Sequence, residues 1–524
     1  RGLGDVYKRQ IHESLLFYDE HTFGASESVS DPLCENSQVQ WGEKSAYAWE
    51  AVKRTQMLYE TSVGLLQGDL RRGKNPTLTI FNTLNWKRSE MLTVYIDFEV
   101  IPRNQFFEIT DFQGHSLKVQ PIRYRREGCY YAIFAEDIPP MGYKTFEIVF
   151  KQPSTDTGTI TINNASIENH FYKLQLNPDK GTIQSLYDKE LNCELVDSSS
   201  PWELGAFIYE KLGNRDQLAQ YRLDDYNRTG LSECRIIDSS NGPIYQRILL
   251  QGKSPGTDEA FGVNLEIKLY HDTKRIELEY AIKRLPETDP SGIYVAFPFQ
   301  LPEGKLAFDV QGGTVISGKN QLEGTSTDWN TVQNFVSVQN NQAQIIIGSS
   351  LIPLYQLGDI NLGKFQYQKQ YERPHVYSWV MNNYWNTNFK ASQEGEFRWS
   401  YHLTSSVDPS NNLATKFGWS SRIPLYARVM PTGTENHKPT EYSAFHFEKD
   451  NFLMTSCTPS KEEGYILLNI REIDGKRTNL RILNEDGQTI PFTIVNAIEE
   501  KLENETSEHI FEGYQNKFIK IKRF

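Results

Sequence analysis

No stretch of the 524-residue sequence approaches the roughly 18 consecutive apolar residues that a membrane helix needs, so a soluble protein is expected. Cysteine is scarce. Cys34, Cys129, Cys193, Cys234 and Cys457 are scattered, odd in number and free of any C-x-x-C pair, which argues against a disulfide framework or a cysteine-type zinc site. A basic excess is missing too: 55 Lys and Arg face 67 Asp and Glu, and the net charge of -12 disfavours nucleic-acid or anionic-membrane binding. Familiar catalytic signatures fail. His12-Glu13 is followed by Ser14 and Leu15 rather than a zinc-protease helix, and no G-x-S-x-G elbow occurs. Gly313 to Asn320 nearly matches a phosphate-binding loop, but it ends in Asn and lies among strand patterns, so it reads as a turn.

Aromatic residues are plentiful: 28 Tyr, 28 Phe and 9 Trp are too many for a disordered chain. At roughly 100–200 residues per domain the length allows about three or four domains. Residues 1–10 carry no clear periodicity or cap and read as a non-native, adapter-like tail, with the protein proper expected from Ile11. Residues 37–68 form the only long helical pattern, with Ala48, Val52, Tyr59, Val63 and Leu66 in one apolar stripe.

After Pro76 the period changes to two. Leu92, Val94 and Ile96 alternate with polar neighbours, as do Phe146, Ile148 and Phe150, then Val263 to Leu269 and Ile276 to Ile282. Such alternation marks half-buried strands. The fold class expected is mainly β: a short N-terminal helical segment followed by antiparallel β-sandwich domains. Polar stretches at 151–158 and 405–412 read as linkers and divide the β part into 76–152, 160–405 and 415–524.

Two stretches carry chemistry. In Leu15 to Ala25 an apolar run ends in Asp19, Glu20 and His21 before Gly24. Successive ionisable groups must be solvated, paired or bound to a metal, and a neutral imidazole oriented by a carboxylate is a common zinc ligand. The plain alternative is a capped surface loop, and one histidine cannot complete a metal site. In Tyr377 to Phe389, aromatic rings interleave with Asn382, Asn383, Asn386 and Asn388. Rings stack on sugar C–H faces and amides bond hydroxyls, so Asn382, Trp385 and Asn388 are candidate carbohydrate contacts. A core strand ending in an Asn-rich turn explains the same residues.

The ordered set of Tyr18 to Ala25, Ile80 to Arg88, Ile167 to Leu174, Gly181 to Asp188, Asp309 to Gly313 and Asn382 to Asn388 resembles bacterial α-mannosidases of glycoside hydrolase family 38. The resemblance implies that 11–70 are the remnant of a helical middle domain and that 160–405 form a large galactose-mutarotase-like sandwich. It further implies a retaining, exo-acting mannosidase acting on terminal α-mannosides of glycans, with catalytic Zn2+ and His21 as one metal ligand. Asp19 or Glu20 then orients His21 or touches the sugar. The nucleophile, the acid/base and the other ligands are expected in an α/β barrel missing from this chain, which is therefore expected to be inactive alone. The expected partner is a carbohydrate, with no nucleic acid or membrane and with room for a homo-oligomer; the expected compartment is a bacterial cytoplasm or periplasm. Two other readings fit the residues: a non-catalytic carbohydrate-binding β-sandwich protein, or the β-sandwich part of another glycosidase or polysaccharide lyase. An apolar face left uncovered near residues 11–65 is expected if a barrel is missing.

Overall fold

A computed structural model describes residues 3–20, 23–152 and 165–523. Strands hold 43% of the chain and helices 13%, so the protein is mainly β, with antiparallel pairing throughout the sheets. Among the described residues no helix is long and apolar enough to cross a membrane.

The chain opens with a helical hairpin. Helix α1 (Leu3–Asp19) runs unbroken across the boundary expected at residue 10. The apolar run Leu15-Leu16-Phe17, which leads to the acidic cluster, lies in its last turns. Docking explains the continuity: α1 packs along α2 (Glu35–Leu66), and Arg54 bonds Gln10 across the seam. Cys34 caps α2 by accepting from the Ser37 N–H at 3.5 Å, and Glu35 adds a favourable charge to the first turn.

The face that α2 buries differs from the expected stripe. Ser37, Lys44, Ala51 and Val63 are buried, whereas Val52 and Leu66 are about half exposed. The first three lie seven residues apart, the repeat of a helix following its partner along one seam. Leu15, Leu16, Phe17, Trp49, Met57 and Leu65 are exposed, so the hairpin does present an uncovered apolar face.

A small sandwich follows. Strand β1 (Thr77–Asn82) lies between strands Gly142–Lys151 and Tyr426–Met430. The second sheet runs from β2 (Arg88–Asp97) through Gly128–Ile138 to Lys118–Tyr124. Leu92, Val94 and Ile96 point inward with Leu78, Ile80, Ile133, Phe146 and Ile148, as their alternation requires, while Phe150 is partly exposed. Part of the expected 415–524 unit belongs here: Tyr426–Met430 and Glu441–Ser443 complete the sheet begun by β1.

The large sandwich faces a nine-stranded sheet against a six-stranded one. Leu265, Ile267, Leu278, Tyr280 and Ile282 meet Phe207, Ile293, Val295, Phe297 and Tyr355 in its core. Strand Ser291–Phe297 is buried on both faces, because a second layer of Ile208, Tyr294, Tyr377, Trp379 and Tyr384 covers the outer side of its sheet.

The stretch 405–412, expected as a linker, is structured. Ser405 lies in the strand Gly395–Ser406 and is buried, and Ser410 caps helix α3 (Asn411–Arg422) by accepting from Leu413 N–H at 3.2 Å. Its polar composition reflects capping, which uses the same residues as a linker. Of the expected linker at 151–158, residues 153–158 lie outside the described residues. A further four-stranded sheet built on Phe452–Pro459 and Tyr465–Glu472 closes the chain around Phe452, Leu468, Ile470, Ile494 and Ile519.

Candidate functional site

Helix α1 ends at Asp19, which is exposed. Four orphan carbonyls at a helix end need partners. Lys44 of α2 supplies three charge-assisted donations: Nζ reaches Phe17 O at 2.7 Å, Glu20 O at 3.1 Å and Glu20 Oε2 at 3.0 Å. Its ammonium also lies 5.7 Å from the centroid of the Phe23 ring, which stands edge-on to Tyr18. Glu20 is thereby engaged in holding the hairpin. His21 lies outside the described residues, so its expected metal role has no placement here.

Replacing Lys44 by Met removes the cap while keeping a long side chain. Charged hydrogen bonds contribute about 1.5–3 kcal/mol each and are not additive, so a total loss of about 2–3 kcal/mol is expected. Amide exchange checks it: the last turns of α1 should open first, and unchanged protection there would refute the capping role.

The chain then turns at Gly24 and runs against a distant loop. A methyl group at Gly24 would sit 2.8 Å from Ser28 Oγ and 3.2 Å from the carbonyl oxygen of Asn388. Beside this contact the Lys390 ammonium stands 5.6 Å from the centroid of the Trp41 ring on α2. The two stretches singled out from sequence are thus neighbours in space.

The second loop is held rigidly. Asn382 ends strand Val376–Asn382 opposite Gly292. Asn383 ties the loop shut: its amide donates to Glu287 O at 3.1 Å and Ala391 O at 2.8 Å, and its Oδ1 accepts from Ser291 N–H at 2.7 Å. Tyr384 is fully buried and donates to Glu210 Oε1 at 2.6 Å. Glu210 also accepts from Tyr294 at 3.2 Å and pairs with Arg228. Burial and the Glu210 carboxylate push the Tyr294 phenol well up, and burial with both neighbours does the same to Tyr384, so each remains a donor.

Trp385 is half-buried, its centroid 5.3 Å from that of Trp329 and 5.8 Å from that of Trp379. It belongs to an aromatic stack as much as to a sugar platform. Asn388 is half-buried and accepts from Thr387 Oγ1 at 3.2 Å. Beside Asn382 and Lys390 opens a crevice of about 280 Å³ that Arg284, Glu287 and Trp379 also line. A carboxylate acceptor, amides and cationic donors around a small hollow suit hydroxyl groups. Lys44, Asn383, Tyr384, Glu210 and Lys390 escaped the sequence reading. Asn383 and Tyr384 stood inside the chosen stretch without any signal of their separate roles, and nothing local marks a lone Glu in a strand.

Comparison with known proteins finds similarities to one family. The model described as glycosyl hydrolases family 38 C-terminal domain matches residues 167–365. No curated protein matches the sequence. An alpha-mannosidase from Enterococcus faecalis V583 superposes with TM-score 0.71 at 12% identity, covering 93% of this chain and 61% of that one. A protein in the glycosyl hydrolase family 38 from Enterococcus faecalis gives TM-score 0.66 at 13% identity, with 94% and 63% covered. Residues 167–365 thus match a family 38 C-terminal domain, and the chain shares the fold of these structures while spanning about three-fifths of their length.

Proposed function

We propose that this chain is the C-terminal part of a retaining exo-α-mannosidase of glycoside hydrolase family 38 and that it does not hydrolyse mannosides alone. The observation that carries this reading is the contact of Gly24 with Asn388, in a chain whose residues 167–365 match the family domain. It joins the end of the helical hairpin to the Asn-rich loop of the large sandwich and makes one surface of them.

Retention needs two carboxyl groups about 5–5.5 Å apart flanking the scissile bond. Three carboxylates near this surface are committed elsewhere. Glu20 pairs with Lys44, and Glu210 is sealed beneath two tyrosines and Arg228. Glu287 accepts from Tyr209 at 3.3 Å and from the Asp289 N–H at 3.1 Å. Asp19 is open, and so is Asp216, 3.5 Å from the Asn386 amide. On this reading the nucleophile and the acid belong to a part of the parent enzyme beyond this chain, and the exposed Leu16, Phe17, Trp49 and Leu65 form the face that part would cover.

Zinc in the parent enzyme stands on the same footing. Among the described residues no three His, Cys, Asp or Glu side chains converge to hold an ion, so these residues do not make a metal centre. What this chain contributes is orientation: a clamped loop offering Asn382 and Asn388 to sugar hydroxyls and an aromatic wall at Trp385 that excludes water.

Two assays test the reading. The chain supplied with zinc should not release aryl alcohol from an aryl α-mannoside above background, and clear turnover would refute its dependence on a missing part. The reading frame extended upstream should encode a barrel and yield α-mannosidase activity; an extended protein without that activity would refute the assignment itself.

A further inference from the structure

We propose that a second, separate cleft of this protein binds neutral oligosaccharide chains; the choice of ligand class rests on the carbohydrate-directed reading above. The cleft measures about 1020 Å³, at the upper end of the roughly 300–1,000 Å³ typical of ligand sites. It opens between the small sandwich, α3 and the outer face of the nine-stranded sheet. β2 and the strand Tyr426–Met430 form its walls. Tyr270, Arg275, Glu277 and His402 form its floor. Tyr59 of α2 lies at its edge, about five turns or about 27 Å along that helix from Trp41. The cleft is thus distinct from the surface around Gly24 and Asn388.

The lining favours an uncharged, hydroxyl-rich ligand. Aromatic faces are spread along it: Tyr59, Tyr95, Phe417 and Tyr426. Most of the charges are paired with residues behind or beside the cleft. Lys274 pairs with Asp188 at 2.8 Å, Lys416 with Asp450 at 3.0 Å, Arg428 with Glu60 at 3.4 Å and Lys268 with Glu277 at 3.0 Å. Glu90 takes the Arg88 guanidinium at 2.8 Å. Asp97 has no ion pair among the described residues and Arg275 lies 4.0 Å from the shared Glu90, so the two charges left over are of opposite sign and the lining stays close to neutral. What remains is neutral hydrogen bonding. Arg275 Nε donates to His402 Nδ1 at 3.3 Å, which leaves the proton of that neutral ring on Nε2, without a protein partner among the described residues. β2 and Tyr426–Met430 are each the outermost strand of their sheet, so each brings one unpaired backbone edge to the wall. Rings spaced between fixed donors and acceptors match the alternating C–H faces and hydroxyls of a sugar chain.

Titration of the whole chain with a linear α-mannotetraose, followed by calorimetry, tests this. Saturable binding is expected, weakened at least tenfold by Tyr95→Ala and by Tyr426→Ala with the thermal midpoint kept. Two separate tyrosines guard against one variant failing to fold. Absence of binding to the wild type overturns the proposal, and so would a site that takes an extended peptide along the strand edges and leaves the sugar titration flat. Binding that Trp385→Ala abolishes and both tyrosine variants leave intact would place the sugar at the first surface, sinking the cleft while sparing the mannosidase reading.

Discussion

Glu210→Ala is expected to destabilise the protein by about 3–5 kcal/mol, the usual cost of breaking a buried ion pair from one side. Glu210 is fully buried, and its removal leaves the Arg228 guanidinium without its carboxylate and the Tyr294 and Tyr384 hydroxyls without their acceptor. The damage should reach the candidate site, because Tyr384 anchors the loop that carries Trp385 and Asn388. Amide exchange across residues 382–391 should quicken, and urea unfolding should give the energy. Replacing both partners, Glu210→Leu with Arg228→Met, should cost less than the single change, since it leaves no unpaired buried charge. A single variant that loses under about 1 kcal/mol would contradict the network described here.

The second large effect is acid instability set by His402. This ring is buried on the outer face of the nine-stranded sheet, and burial, reinforced by Arg275 and Lys268 against the opposing pull of Glu277, lowers its pKa from 6.5 to about 3. Its folded state therefore refuses a proton that the unfolded chain accepts. Below about pH 6.5 unfolding takes up that proton, and stability falls by up to about 1.4 kcal/mol per pH unit until about pH 3. Above pH 6.5 both states are neutral and the slope vanishes. Glu277 adds a separate acid loss. Burial alone would raise its pKa, but Lys268 and its other neighbours hold it well below 4.5, so its contribution is present above pH 4.5 and lost as pH falls. His402→Gln should flatten the stability profile between pH 6.5 and 4.5 and leave the steeper fall below 4.5. Thermal midpoints measured at half-unit intervals check this, and an unchanged slope in the variant would contradict it.

Both effects arise where the sequence was silent. Glu210 and His402 are single polar residues in strands whose neighbours alternate as strands do. Which polar partners face them depends on sheets that pair residues far apart in the chain. The same limit explains α2. Its helix was plain from periodicity, but the buried face was chosen by α1. Helix and strand propensities of a run as short as Leu15-Leu16-Phe17 are weak, and docking decided between them.

The sequence by itself determined the strands and their inward faces. The alternation at Leu92, Val94 and Ile96 and at Leu265, Ile267 and Leu269 states which side avoids water, and burial follows it residue by residue. Composition also placed candidate sugar contacts on the Asn-rich loop. The tertiary structure alone decided what those faces meet: that Tyr426–Met430 returns to β1, that Gly24 lies against Asn388, that Glu20 belongs to Lys44, and that a cleft opens between the two sandwiches. Local periodicity records the free energy of leaving water, which each residue pays singly. Contacts between distant segments depend on shape and on paired polar groups, and these have no local pattern to read.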